Sequence, residues 1–475
     1  MKTLPLYLNG EFVTTGTLLP VRNPATGEIF AQMCACDRAH VAQALAHAHA
    51  AFASWRNVVG KTRGDFLLKI ATGIERRKDE IARTITLENG KPLAQSHGEV
   101  AMTIDHLRWF AEEARRGYGR TIPPQADGKR HVVVKTPVGV VAAISPWNFP
   151  LVLAVRKIAP ALAAGCTVVL KPASATPVCA ALLSECVHEA GVPAGVFQLV
   201  AGVASEIAAE FLENPRCRKI TFTGSTEVGK KLIAGAAAQV KPLSLELGGH
   251  SPVIVFDDAD PATAVEQTMI AKFRNTGQSC IAANRVYVQR GIAEQFIPAF
   301  VSRVKALKVG NGLEAGVEIG PLINATAADN ALKHITDAQA RGAKLLWGGR
   351  RMDKAGGSFL EPAVLTDVPG ASLGMCEETF APVAYVNVFD AEAEAVESAN
   401  DTPYGLAAYV FTRDLNRAFR LMDVLEAGMI GINDGVPTTS NAPFGGVKQS
   451  GWGRELGAEG LDAFLETKHA SFVIN

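Results

Sequence analysis

The chain has 475 residues, 48% hydrophobic and 20% charged, a folded globular composition too long for one compact core. Lys+Arg and Asp+Glu are both 47, so the formal net charge is zero. That balance argues against a nucleic-acid-binding protein and gives no basic patch for an anionic membrane. The cysteines, Cys34, Cys36, Cys166, Cys179, Cys186, Cys217, Cys280 and Cys376, form no CxxC pair and no disulfide framework. A reducing, cytoplasmic setting without a metal site is the expectation. The opening MKTLPLYLNGEFV is too short and interrupted for a signal peptide, and no run of ~18 apolar residues is uninterrupted, so no membrane span is expected.

Residues 1–36 read as short strands, with turns at Asn9–Gly10 and at 24–27. Asp37 is the expected N-cap of an Ala-rich helix running through Trp55. Its His40, His47 and His49 have no partner in the pattern and read as solvent-exposed. A second helix is expected over 63–87, on the stripe Leu67, Ile70, Ile74, Ile81 and Ile85, and a third over 101–116. The Gly/Pro/Arg-rich stretch 119–128 reads as a hinge into extended strands. From Val138 to Leu247, strands at 140–144, 167–171, 196–200 and 219–223 alternate with Ala-rich stretches such as 178–190. A second alternation covers 252–431, with strands at 253–256, 284–289, 343–349 and 383–389 and a helix over 293–309. This rhythm predicts an α/β fold of doubly wound parallel sheets with ligands at the strand ends. The stretch 444–460 is too glycine-rich for a core element and reads as a functional loop, and 464–472 suits an edge strand.

The segment KFRNTGQSCIAANR, 272–285, sets Cys280 in a Gly/Gln/Ser-rich turn, where a free cysteine is unusual. LSLELGG places Glu246 before Gly248 and Gly249, and ISPWNFP offers Asn148 in a Pro-flanked turn. Singly they read as a core thiol, a salt-bridged surface carboxylate and a turn-capping amide. Together a nucleophile, a general base and a neutral donor make a covalent acyl-transfer site. If 273–280 is a turn leading into a helix, the Cys280 N–H also faces the developing oxyanion, and the helix start favours the thiolate. No GxGxxG follows an early strand. Instead KITFTGSTEVGK sets Gly224, Ser225 and Gly229 between strand and helix, where a pyrophosphate oxygen fits, though the pattern also reads as helix capping.

PWNFP (146–150), FTGSTEVG (222–229), LELGG (245–249), GQSC (277–280), EETFAP (377–382) and PFGGVKQSG (443–451) resemble, in order and over nearly the whole chain, the aldehyde dehydrogenase superfamily. KFRNTGQSC, VRK at 155–157 and VFDDAD at 255–260 are most similar to its succinate-semialdehyde dehydrogenase branch. The resemblance implies a dinucleotide-binding domain from 1–118 and 139–250 and a catalytic domain at 251–430. It further implies an oligomerisation arm from 119–138 and 451–475, with 431–450 returning past the active site. The arm would make the chain a dimer or tetramer. The resemblance also implies that Lys157 sets the active-site field and that Glu466, in FLETK, relays protons outward. Lys171 and Glu378 would lie near the two riboses of NAD or NADP, Trp147 near the adenine side and Phe380 near the nicotinamide ribose. Two departures stand out. Ala282 replaces a frequent second cysteine, which removes a local disulfide switch, and Ala381 stands where the family usually has glycine.

The implied reaction is attack of Cys280 on an aldehyde, hydride transfer to the nicotinamide, and hydrolysis of the thioester by Glu246-activated water. Ser174 follows Lys171 where NAD-selective relatives commonly carry glutamate, which favours NADP over NAD; the plainer reading is a helix cap. Arg156 and Arg274 match the branch's grip on a substrate carboxylate, so succinate semialdehyde or a similar carboxylate-bearing aldehyde is expected. Thr438, Thr439 or Ser440 adds a hydroxyl, with Thr439 and Ser440 preferred. The alternatives are a general aliphatic or aromatic aldehyde dehydrogenase, and a catalytically silent structural or binding protein of the same fold.

Overall fold

In the computed structural model, which describes residues 2–352, 354 and 356–474, two sheets carry the strand–helix alternation. The first is built on parallel strands in the spatial order Leu243–Glu246, Cys217–Thr223, Val140–Ile144, Thr167–Lys171 and Phe197–Leu199. Antiparallel strands finish its edges, Gly451–Trp452 at one and the hairpin of Leu6–Leu8 and Glu11–Val13 at the other. The second sheet orders Lys344–Trp347, Ala363–Thr366, Val383–Phe389, Arg285–Gln289, Pro252–Val255, Ala407–Phe411 and Met429–Ile432. Only its first pair is antiparallel. Thr167–Lys171, Pro252–Val255 and Ala407–Phe411 are buried at every residue, as strands covered on both faces must be.

A third, small sheet pairs Leu465–Val473 antiparallel along the length of Lys129–Pro137, with Arg120–Ile122 on the far side. The segment at 465–473 is an edge strand, as its alternation suggested. Residues 451–452, grouped with this arm in sequence, pair instead with Leu245 and Glu246 and hold the preceding glycine-rich loop over that strand end.

Helix boundaries departed most from expectation. The helix expected over 63–87 is two, Gly60–Arg76 and Lys78–Asn89, with Arg77 between them at φ −105°, ψ 17°. The third begins at Leu93, directly after Pro92, and ends at Glu113. Its first turns bury Ser96 and Glu99, so the apolar stripe that would have revealed them is absent. Asp37 does cap Arg38–Trp55, and it also partners a histidine taken as unpartnered: Asp37 Oδ1 lies 2.6 Å from His40 Nδ1. His47 is half-buried, and only His49 is exposed.

Candidate active site

Cys280 lies beyond the helix Pro261–Phe273 and a tight turn in which Asn275 and Thr276 take left-handed φ of 51° and 59°. No helix starts there; a single turn closes with Ala282 N donating to Ser279 O at 2.9 Å. The expected helix N-terminus is therefore absent. Burial pushes the thiol up to about 12, Glu378 and Glu246 add to the rise, and Arg156 opposes it. The resting nucleophile is a neutral thiol that needs a base. Gly249 explains the LELGG motif locally, since a Cβ there would sit 2.1 Å from Cys280 O.

Asn148 is buried in the loop before the helix Val152–Ala164. Its Nδ2 donates to Gln278 O at 3.2 Å, which leaves its second N–H for another acceptor. Asn275 Nδ2 ties the two loops together, donating to Asn148 O at 2.8 Å and to Gln278 O at 3.0 Å.

Glu246 ends its strand fully buried, with Oε2 lacking a hydrogen-bond partner. Burial raises its carboxyl well above the ordinary range, and the nearby Glu455 carboxylate raises it further, while Lys157 and Arg156 oppose. Lys157 is completely buried and donates to Thr223 Oγ1 at 2.6 Å and to Glu455 Oε1. The second glutamate of the cluster is thus Glu455, and the sequence assignment to Glu466 is corrected. Glu466 is exposed in the arm sheet, in register with Thr136. Glu455 was missed because a glycine-rich loop carries it; its position is fixed by paired main-chain hydrogen bonds to Phe444, at 2.7 and 2.8 Å.

On the cofactor-assigned side, Trp147 and Phe380 meet edge to face with centroids 5.5 Å apart. Glu378 accepts from Gly249 N at 3.1 Å; burial raises its carboxyl to about 7, with that N–H and Lys272 opposing. Lys171 closes its strand with a buried side chain and no ion pair among the described residues. Ser174 is exposed and does not cap the next helix, Val178–Glu189, whose first amides are bound by the buried Glu88 carboxylate at 2.7 and 3.1 Å. Ser225 caps Thr226–Ala236, accepting from Val228 N at 3.4 Å. Packing accounts for both glycines here: a Cβ on Gly224 would lie 2.4 Å from the Phe222 ring, and one on Gly229 2.6 Å from Leu247 Cδ2. The Ala381 methyl is buried in a small core with Val383 and Tyr385.

Arg156 and Arg274 line one cavity with Cys280, Phe149, Phe444 and Thr438. Arg156 is 5% exposed, its guanidinium 4.4 Å from the centre of the Phe444 ring, its Nε buried without a partner. Arg274 lies 5.3 Å from the centre of the Phe149 ring, and its guanidinium donates, among the described residues, to Met102 Sδ alone, at 3.4 Å. Neither forms an ion pair among the described residues. The preference for Thr439 and Ser440 is corrected as well. Thr439 is exposed and donates to Asn441 Oδ1 at 2.8 Å, and Ser440 is buried away from the cavity lining, which takes Thr438, whose Oγ1 has no partner.

A half-buried thiol, an unpartnered buried carboxylate and an amide donor at the ends of doubly wound sheets define a cysteine-dependent acyl-transfer enzyme. The description "Aldehyde dehydrogenase family" matches residues 12–470, and the chain belongs to that family: it oxidises an aldehyde to a carboxylic acid with NAD or NADP through a cysteine. It is 48% identical to the glutarate-semialdehyde dehydrogenase of Pseudomonas aeruginosa over 98% of this chain and 96% of that one. It is 45% identical to the NADP(+) succinate-semialdehyde dehydrogenase of Escherichia coli over 97% and 96%. The crystal structure of the succinate-semialdehyde dehydrogenase from Burkholderia pseudomallei superposes with a TM-score of 0.97 at 44% identity, covering 99% and 98%.

Proposed function

We propose that the chain oxidises a short semialdehyde bearing a terminal carboxylate, succinate semialdehyde or its one-carbon-longer homologue, with Cys280 as nucleophile. The observation that carries this reading is a pair of guanidinium groups without anionic partners in the cavity that holds Cys280. Burying an unpaired cation is costly, and a substrate carboxylate removes the cost with charge-assisted bonds. An aliphatic tail would leave those donors desolvated and unpaired. The relatives named above for glutarate and succinate semialdehydes support the same class.

The Cys280 sulfur adds to the aldehyde carbon and its proton passes to Glu246 in its ionised form, which burial disfavours and the nearby Lys157 and Arg156 favour. Asn148 Nδ2 and the Cys280 main-chain N–H receive the oxyanion. The residues present fit a nicotinamide dinucleotide: Glu378 is an acceptor fixed by Gly249 N, Lys171 a cation without an acid partner among the described residues, and Ser225 caps the N-terminus of a helix at the end of its strand. When bound, such a cofactor would supply the acceptor for the hydride that leaves the substrate carbon. After that first proton has left, the Glu246 carboxylate removes a proton from water, which displaces the sulfur from the thioester as a thiolate and releases the acid. Glu455, held by Lys157 near Glu246, takes the proton onward.

The exposed Ser174 leaves a 2′-phosphate unopposed beside Lys171, so NADP is preferred over NAD. Self-association into a dimer or tetramer through the arm accords with its exposed Val473 and Ile474, 72% and 58% accessible. A cytoplasmic home accords with the reduced cysteines, and no helix among the described residues is long and apolar enough to cross a membrane. The test is kcat/KM on succinate, glutarate and malonate semialdehydes against hexanal and benzaldehyde, with both cofactors. A preference for hexanal would overturn the substrate class. Cys280→Ser should abolish turnover with cofactor binding intact, and Glu246→Gln should give one burst of reduced cofactor followed by a slow steady state.

A further inference from the structure

The loop that carries Asn148 is gripped from behind by a buried ion pair that the chemistry does not use. Lys91 and Glu99 are both buried, with Lys91 Nζ 2.6 Å from Glu99 Oε2. Lys91 follows Gly90, the left-handed C-cap of Lys78–Asn89, and Glu99 lies early in the next helix, Leu93–Glu113. Both side chains are spent on the segment 148–152. Lys91 Nζ donates to the main-chain oxygen of Asn148 at 2.7 Å and sits 3.8 Å from the centre of the Phe149 ring. The other carboxylate oxygen, Glu99 Oε1, accepts from Leu151 N at 2.9 Å and Val152 N at 3.2 Å. Those amides open the helix that carries Arg156 and Lys157.

Burying an ion pair rarely stabilises a fold more than packed apolar side chains would. What this pair supplies is aim. The Asn148 carbonyl accepts from Lys91, from Asn275 Nδ2 at 2.8 Å and from Asn89 Nδ2 at 3.4 Å, and Lys91 is the one charged donor. With the carbonyl fixed and the next amides bound to Glu99, the peptide planes around Asn148 cannot rotate, and its side-chain amide keeps its direction. A displacement of about 1 Å in such a group can cost about 100-fold in rate. We propose that Lys91 and Glu99 are a positioning pair for the oxyanion donor, acting on the first chemical step through Asn148. This rests on the reading of Asn148 given above.

The test is a double-mutant cycle on the rate of the first-turnover burst of reduced cofactor. Lys91→Met is made together with Glu99→Gln, so that no lone carboxylate is buried. This pair variant should slow the burst at least ~10-fold, with the semialdehyde KM and the cofactor Kd within about threefold of the parent. In an Asn148→Ala background, itself slow, the same change should cost less than about twofold. Equal losses in both backgrounds would make the pair a general structural element and overturn the proposal. An unchanged burst in Asn148→Ala alone would instead refute the oxyanion role on which it rests. Lys91→Gln made with Glu99→Gln, which keeps polar groups at both positions, supplies the same cycle if the pair variant does not fold, and additivity there overturns the proposal equally.

Discussion

Two arginines in this chain are almost wholly buried, and they are held in opposite ways. Arg285, at 1% exposure, starts a strand of the second sheet and donates to His250 O at 3.0 and 3.3 Å, Ser398 O at 2.7 Å, Ala399 O at 2.9 Å and Tyr287 Oη at 3.3 Å. Arg156, at 5%, has an aromatic face 4.4 Å away and no acceptor among the described residues. Desolvating a guanidinium costs several kcal/mol whichever site it occupies. Arg285 recovers that cost inside the protein; Arg156 leaves it standing, as does Arg274, which among the described residues has a thioether alone to donate to. Full satisfaction marks a structural arginine, and missing satisfaction beside Cys280 marks one waiting for an anion.

Substitution separates the two most sharply. Arg285→Met strands several main-chain carbonyls and should lower stability by more than about 3 kcal/mol. Arg156→Met removes a charge with no partner, so thermal unfolding should show an unchanged or higher Tm. Meanwhile kcat/KM for succinate semialdehyde should fall at least ~100-fold, about 2.7 kcal/mol, with hexanal unaffected or improved. Comparable losses of Tm in both variants would erase the distinction. Arg274 is half-buried and sits farther out, so Arg274→Ala should be milder: KM for succinate semialdehyde up ~10-fold, about 1.4 kcal/mol, with hexanal turnover nearly constant. Equal effects on both substrates would remove Arg274 from the carboxylate site.

A satisfied and an unsatisfied group also meet at Glu378, which has one main-chain donor and a carboxyl raised to about 7 by burial. A raised value means that the proton must leave before the group can serve as a charged acceptor for ribose hydroxyls. Cofactor affinity should therefore strengthen as pH rises through about 7 and weaken by up to ~10-fold per unit below it. Kd measured from pH 5.5 to 8.5 should follow that curve, and Glu378→Gln should flatten it. A flat curve in the parent protein would show that Glu378 does not carry the contact.

What the sequence disclosed follows the same division. Strands buried on both faces, such as Pro252–Val255, announce themselves as continuous apolar runs, so the doubly wound sheets were legible. Cys280 stood out because a thiol is unusual in a Gly/Gln/Ser-rich turn, whereas Asn148 and Glu246 stood out only in combination with it and the two arginines only through the motifs that carry the resemblance. Lys91 and Glu99 were not, because buried polar residues erase the periodicity by which a helix face is read. The cavity's hydroxyl was misplaced by one residue, since spacing in GVPTTSNAP cannot say which side chain a loop turns inward. The absence of a helix at Cys280 was equally hidden, because left-handed φ at Asn275 and Thr276 is written in packing and not in composition.

The smallest expected effect concerns the two glutamates that sequence confused. Glu455 is 5% exposed, accepts from the buried Lys157 ammonium and keeps Oε2 unpartnered near Glu246. Glu466 stands exposed on an edge strand, and the hydrogen bond made there, from Thr136 Oγ1 at 3.5 Å, reaches its main-chain oxygen and not its carboxylate. A proton leaving Glu246 needs an acceptor within its own desolvated pocket, because a buried carboxylic acid has no water shell to release into. Glu455→Gln keeps the hydrogen bond to Lys157 but cannot take the proton, so thioester hydrolysis should slow by roughly 10-fold while the first-turnover burst survives. Glu466→Gln removes only a solvated charge and should leave both phases within about twofold. Rapid-mixing traces on the two variants check this directly. A slowed steady state in Glu466→Gln, with Glu455→Gln normal, would return the relay to the arm strand and break the rule that function here sits where burial leaves a polar atom without a partner.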